Sequence, residues 1–260
     1  MVDDVGNPRD AVFTTAAWDG RHSLADWNLH LARMKRHSSR LRIQLPDDFE
    51  QQVAQHVSQL AAEPEDAAVE RNPNCLMRIQ CTAGGKVTVS SRSIDIRDED
   101  IDAITQPAPR WMKKINGTKH GAWKPYSDAL ATAQSKGADI ALLVHEYALV
   151  DADRATPVVL DEDGTAWIAS LDEGGTESIT LSILSPELEK HGIPVHHGRL
   201  NERLVARAEE IVAVGSGIGV CQIISIDGVD TGHGSALTAL CRTILAEHYA
   251  DIETWTSLEA

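Results

Sequence analysis

Lys119 stands in Gly117-Thr118-Lys119-His120, just after the apolar and basic run Trp111-Met112-Lys113-Lys114-Ile115. The small-residue-rich stretch 126–136 after it reads as a helix closed by Gly137, and Ile140-Ala141-Leu142-Leu143-Val144 reads as a strand. An amine carried between two structured segments can attack an aldehyde and hold it as a Schiff base. A lysine alone is ordinarily a solvated surface charge, so its meaning rests on its companions. A second chemical candidate is Gly215-Ser216-Gly217-Ile218-Gly219, which follows the strand-like run 210–214. Its spacing departs from GxGxxG, and Val220-Cys221-Gln222-Ile223-Ile224 beyond it is strand-like, where a dinucleotide-binding loop opens a helix. NAD is therefore rejected. The turn can present backbone N–H groups and the Ser216 hydroxyl to one phosphate, or it can be a plain hairpin turn.

Composition narrows the field. The chain has 260 residues, 42% of them hydrophobic and 24% charged, as in an ordinary soluble protein long enough for two domains. A net charge of −15 argues against a nucleic-acid partner, because neutralising phosphates needs a Lys/Arg excess. Cys75, Cys81, Cys221 and Cys241 show no Cys-x-x-Cys spacing and read as reduced thiols. The histidines form no HExxH pair, and His196 and His197 would point apart on a strand, so no metal is expected. No apolar run reaches membrane-spanning length and Met1-Val2-Asp3-Asp4 lacks a signal peptide's regions; a cytoplasmic location without a membrane partner is the expectation.

Periodicity supplies the elements that must position these residues. Val12-Phe13-Thr14-Thr15-Ala16-Ala17-Trp18 reads as a strand and Asp19-Gly20 as a turn. Leu24, Trp27, Leu31, Met34 and Leu41 follow helical spacing, with a capping-box-like start at Ser23 and Asp26. A second helix begins at Asp47 and shows Phe49, Val53, Val57 and Leu60 on one face. Residues 61–74 read as an acidic loop, 75–81 and 86–91 as a hairpin around Ala83-Gly84-Gly85, and Pro107-Ala108-Pro109 as the end of the first half. Later strands are expected at 140–144, 156–160, 166–169, 193–196, 210–214 and 220–226. Helices are expected at 202–208 and through Leu237, Leu240, Cys241, Ile244 and Leu245. This is an α/β (α+β) pattern in two domains, 1–112 and 119–260, with a linker at 113–118.

Read together, these segments resemble a family. Asp10-Ala11-Val12-Phe13-Thr14-Thr15 resembles the "GDGxFET/FTT" opening of the fold-type IV pyridoxal phosphate (PLP) enzymes, the class IV aminotransferases. His30-Leu31-Ala32-Arg33-Met34 with Ser38-Ser39-Arg40-Leu41 is similar to that family's "HxxRLxxSA…L" helix, and Lys119 falls where its Schiff-base lysine stands. Val214-Gly215-Ser216-Gly217 looks like the "TGT" phosphate turn, and Ile226-Asp227-Gly228 like the "IDG" that follows. The resemblance implies a smaller N-terminal α/β domain, a C-terminal pseudo-barrel domain and a homodimer. It implies that Lys119 holds PLP and shuttles the substrate α-proton, and that Arg33 pairs with the cofactor phosphate. It further implies that Gly175, Thr176 and Ser216 complete the phosphate cradle and that Asp151 stands where a glutamate meets the pyridine nitrogen.

The departures bear on the reaction. Gly174-Gly175-Thr176-Glu177 replaces the family's Gly-Ile-Thr-Arg, Thr156 replaces an asparagine, the N-terminal hairpin is short, and Ala83 stands where some members carry a substrate-binding arginine. Phe13-Thr14-Thr15 and Thr118-Lys119-His120 look more like the aminodeoxychorismate lyases than the branched-chain aminotransferases, whereas Ala83 points away from the lyase. The leading expectation is transfer of an amino group between an amino acid and a 2-oxo acid. A PLP lyase releasing pyruvate is the alternative, and a non-catalytic member retaining the fold is the third.

Overall fold

Alternating burial makes the first sheet. In the strand Cys75–Thr82, Met77, Ile79 and Cys81 are buried on one face, while Arg78, Gln80 and Thr82 are half-buried on the other. The structure, a computed structural model, describes residues 6–60, 75–94, 96, 98–232 and 234–258. Along the chain run β1 (Ala11–Ala17), β2 (Ser23–Ala25), α1 (Trp27–Leu41), α2 (Phe49–Leu60), β3 (Cys75–Thr82), β4 (Val87–Ser93), β5 (Ile101–Pro107) and α3 (Lys124–Ser135). Then follow β6 (Ile140–His145), β7 (Ala148–Ala152), β8 (Thr156–Leu160), β9 (Ala166–Ala169), α4 (Ile179–Lys190), β10 (Val195–Gly198), β11 (Leu200–Asn201) and α5 (Glu202–Ala206). The chain closes with β12 (Glu210–Gly215), β13 (Gly219–Ile226), β14 (Val229–Asp230), α6 (Ala236–Ala250) and β15 (Trp255–Ser257).

Two compact units result. The first comprises Met1–Ile96, Thr118–Trp123 and Ala246–Ala260; the second comprises Arg97–Gly117 and Lys124–Leu245. In the first unit β1, β3 and β4 form an antiparallel sheet, with α1 packed on β1 and α2 on β4, and β15 pairs with β2. The second unit is built on a ten-stranded pseudo-barrel sheet in the order β10-β9-β8-β12-β13-β5-β6-β7-β11, with β14 beside β13. Its core draws on Ile140, Leu142, Val159, Ile211 and Ile223. Glu210, fully buried, accepts the backbone N–H groups of Leu237 (2.9 Å) and Thr238 (2.6 Å), tying β12 to the first turn of α6.

The division differs from the expected linker at 113–118. Residues 101–107 form β5, which lies parallel to β6 and β13 and so belongs to the second unit. Thr118–Trp123 belongs to the first, because Val12 and His120 form a bridge and the Phe13 N–H donates to the Lys119 carbonyl at 3.2 Å. The expected capping box at Ser23 and Asp26 is also corrected. Ser23 lies in β2, and Asp26 caps α1 in a left-handed conformation with no side-chain cap bond, its carboxylate facing His248 at 3.0 Å. β5, β7 and α4 have no counterpart in the periodicity. β7 is short and buried at every position, Asp151 included, and α4 carries Pro186 in its interior. The expected loop at 61–74 lies outside the described residues.

Candidate active site

In the first unit a glycine lets the lysine segment lie against the sheet. A Cβ on Gly121 would meet Ala11 N and Asn7 O at 2.9 Å, so any other residue would push this segment off the start of β1. Held there, Lys119 comes opposite Phe13, and its N–H donates to His37 Nδ1 at 3.1 Å, which ties it to α1 as well. The half-buried Lys119 carries its Nζ 4.7 Å from the Trp123 ring centroid and 5.5 Å from that of Phe13. These two rings meet edge to face at 5.0 Å. Arg78 of β3 stacks on the same Phe13 ring, its Cζ 3.6 Å from the centroid.

Arg33 lies on α1. It is 2% exposed, and its Nη2 donates to Thr14 Oγ1 at 2.6 Å; Thr14 Oγ1 is also 2.7 Å from His30 Nδ1. Burial first, then the charges of Arg33 and Lys119, hold His30 well below the usual imidazole range. His120 is brought down to about 4 by burial, then by His37 and Lys119. Both imidazoles are therefore neutral at pH 7, and the guanidinium is the fixed cation. An amine beside two aromatic rings, with a buried guanidinium in the same unit, offers groups of the kind that could hold an aromatic aldehyde and a phosphate.

The second unit assembles three of the expected residues. Asp151 sits within β7, 3% exposed, and its Oδ2 accepts the Thr176 N–H at 3.1 Å. That bond commits the Thr176 amide to Asp151, leaving the hydroxyl as the group this residue can offer an anion. Gly175 beside it is tightly enclosed, since a Cβ would lie 3.0 Å from Val150 O and 3.1 Å from Ala169 O. Tyr126 of α3 joins the cluster: burial and then the Asp151 charge raise its hydroxyl above the ordinary phenol range, while contacts to Thr176 and Trp111 act the other way. Glu177 is half-buried, its N–H donating to the Gly117 carbonyl at 3.1 Å. Ser216 is half-buried in the hairpin turn between β12 and β13, where Gly215 pairs with Gly219 and no helix follows. Thr156 is buried in β8 opposite Val214, and Ala83 is exposed beyond β3.

Thr14, His30, His37, Trp123, Arg78 and Tyr126 were not singled out from the sequence. His30, Arg33 and His37 are spaced by three and four, which places them on one face of α1; that signal was available. The others depend on strand register. Among the described residues no group of three His, Cys, Asp or Glu side chains could hold a metal ion, and no helix is long and apolar enough to cross a membrane.

Residues 11–226 match the family described as amino-transferase class IV. No curated protein matches the sequence. Among solved structures, the chain is similar to a branched-chain aminotransferase from Thermoproteus uzoniensis with norvaline, at 17% identity and a TM-score of 0.79, over 99% of this chain and 94% of that one. It is similar to a hypothetical aminotransferase from Mycobacterium tuberculosis in its PLP-bound form, at 16% identity and a TM-score of 0.74, over 92% and 90% of the two chains. It is also similar to a putative 4-amino-4-deoxychorismate lyase, at 23% identity and a TM-score of 0.71, over 94% and 93%.

Proposed function

Because the chain belongs to the class IV aminotransferase family, whose members use PLP, we propose that it is a PLP-dependent enzyme moving an amino group between an amino acid and a 2-oxo acid. The observation that supports this most directly is the Lys119 amine, 4.7 Å from the Trp123 ring, in the same unit as the buried Arg33 guanidinium. When bound, PLP supplies an electron-accepting ring. Lys119 would hold the group through its aldehyde and, with its amine released, would take and return the substrate α-proton. Arg33 would bind the phosphate with its forked donors. Asp151 would serve the pyridine nitrogen as a carboxylate, and Gly175, Thr176 and Ser216 would offer phosphate donors. A homodimer and a cytoplasmic location complete the reading.

The lyase reading keeps its place because a putative 4-amino-4-deoxychorismate lyase, at 23% identity, is among the similar structures. Both reactions begin with the same proton removal, so the lysine does not separate them. The test is reconstitution with PLP followed by borohydride reduction and peptide mass spectrometry, with the pyridoxyl group expected on Lys119. An adduct on Lys113, Lys114 or Lys124 sinks the assignment. An amino acid without an acceptor is then expected to convert the cofactor to its pyridoxamine form, and a 2-oxo acid to restore it. Pyruvate release from aminodeoxychorismate with no such half-reaction promotes the lyase; a protein that binds no PLP and performs neither is the non-catalytic member.

A further inference from the structure

We propose that Thr14 is the positioning residue for the Arg33 guanidinium, and that His30 fixes the direction of the hydrogen bond it makes. Arg33 Nη2 lies 2.6 Å from Thr14 Oγ1, and His30 Nδ1 lies 2.7 Å from the same oxygen. A guanidinium has only donors, so the threonine oxygen accepts from Arg33. The hydroxyl still has its one proton, and in the relay we assign it donates that proton to His30 Nδ1, which puts the ring proton of His30 on Nε2. In that relay the arginine donates to the threonine and the threonine to the histidine. Thr14, Arg33 and His30 are 0%, 2% and 2% exposed, so bulk water does not substitute for a lost partner. Thr14 projects from β1 toward α1, next to Phe13, the residue opposite Lys119. Strand and helix thereby hold the guanidinium in one orientation before any anion arrives. This inference rests on the reading of Arg33 as the phosphate partner.

The test compares PLP with pyridoxal, which lacks the phosphate, by absorbance titration of the parent chain, Thr14→Val and Thr14→Ser. Nitrogen-15 NMR of the histidines reports the His30 tautomer. Thr14→Val is expected to weaken PLP binding about 10- to 100-fold, the loss of a hydrogen bond to a charged group, while pyridoxal affinity stays unchanged. Thr14→Ser is expected to retain the parental preference, and His30 to carry its proton on Nε2 in both the parent and the serine variant. Equal losses for PLP and pyridoxal, no loss for either, or a proton on His30 Nδ1 overturns the proposal. If the valine variant does not fold, the serine variant and the parental tautomer decide alone. A parent that binds PLP no better than pyridoxal overturns the phosphate reading of Arg33 itself, a different result from a parent that prefers PLP and a valine variant that does too.

Discussion

Burial decides what a single charged side chain can be asked to do. Arg33 holds its charge where water is scarce, so an anion that replaces water there meets a strong partner. Arg33→Ala is expected to weaken PLP binding by about 1.5–3 kcal/mol, read by titration of the apoprotein. An unchanged affinity would place the phosphate elsewhere. Asp151 makes a different case, because its Oδ2 already accepts the Thr176 N–H. An asparagine keeps an oxygen for that amide and removes only the charge. Asp151→Asn is therefore expected to slow turnover by about tenfold or more while PLP affinity changes less, in steady-state kinetics beside a cofactor titration. Turnover at the parental rate would move the role to another acid, and Asp153 is next in line. The sequence singles out Lys119 and Arg33 as candidates because a motif and a helical spacing surround them. It does not single out Thr14 and Trp123, since nothing in a string of residues says which ring will face an amine.

At the scale of elements, the decisive contact is a backbone one. The segment 118–123 becomes an extension of the first sheet through the Val12–His120 bridge and the Phe13–Lys119 hydrogen bond. Gly121 makes the approach possible, since the nearest atoms to a Cβ there are main-chain atoms that cannot swing aside. Gly121→Ala is expected to cost about 1–3 kcal/mol in urea denaturation, the usual cost of overpacking, and to slow borohydride trapping at Lys119. Parental stability together with parental trapping would show that the segment has slack. Periodicity predicted the helix that became α3 and the hairpin of β3 and β4, because one face of each is buried. It missed β5, whose place between two parallel neighbours comes from distant parts of the chain.

For the molecule as a whole, buried titratable groups make stability depend on pH with opposing signs. His120 is held at about 4, below its ordinary 6.5, so the folded state binds fewer protons and stability falls as pH drops below 6.5. His30 acts in the same direction. Asp153 is raised from 3.8 to about 6, chiefly by burial, so it binds protons more readily when folded and stabilises as pH falls from neutrality through 6. Acidification from pH 7 to pH 5 is expected to lower the unfolding free energy of the parent, and of Asp153→Asn by about 1 kcal/mol more, because the opposing group is gone. Equal slopes in urea melts at the two pH values would show that Asp153 does not titrate in this range. The sequence by itself determined the helix face that carries Arg33, the small-residue helix after Lys119, and a glycine turn unsuited to a dinucleotide, because each follows from spacing along one element. Only the tertiary structure decided that Lys119 belongs with the first unit, that Thr14 joins Arg33 to His30, and that Asp151 is committed partly to Thr176. Those pairings reach from Thr14 to His30, 16 positions on, and as far as from Phe13 to Lys119. They hang on strand register, and register is set by the burial of whole faces that no local pattern contains.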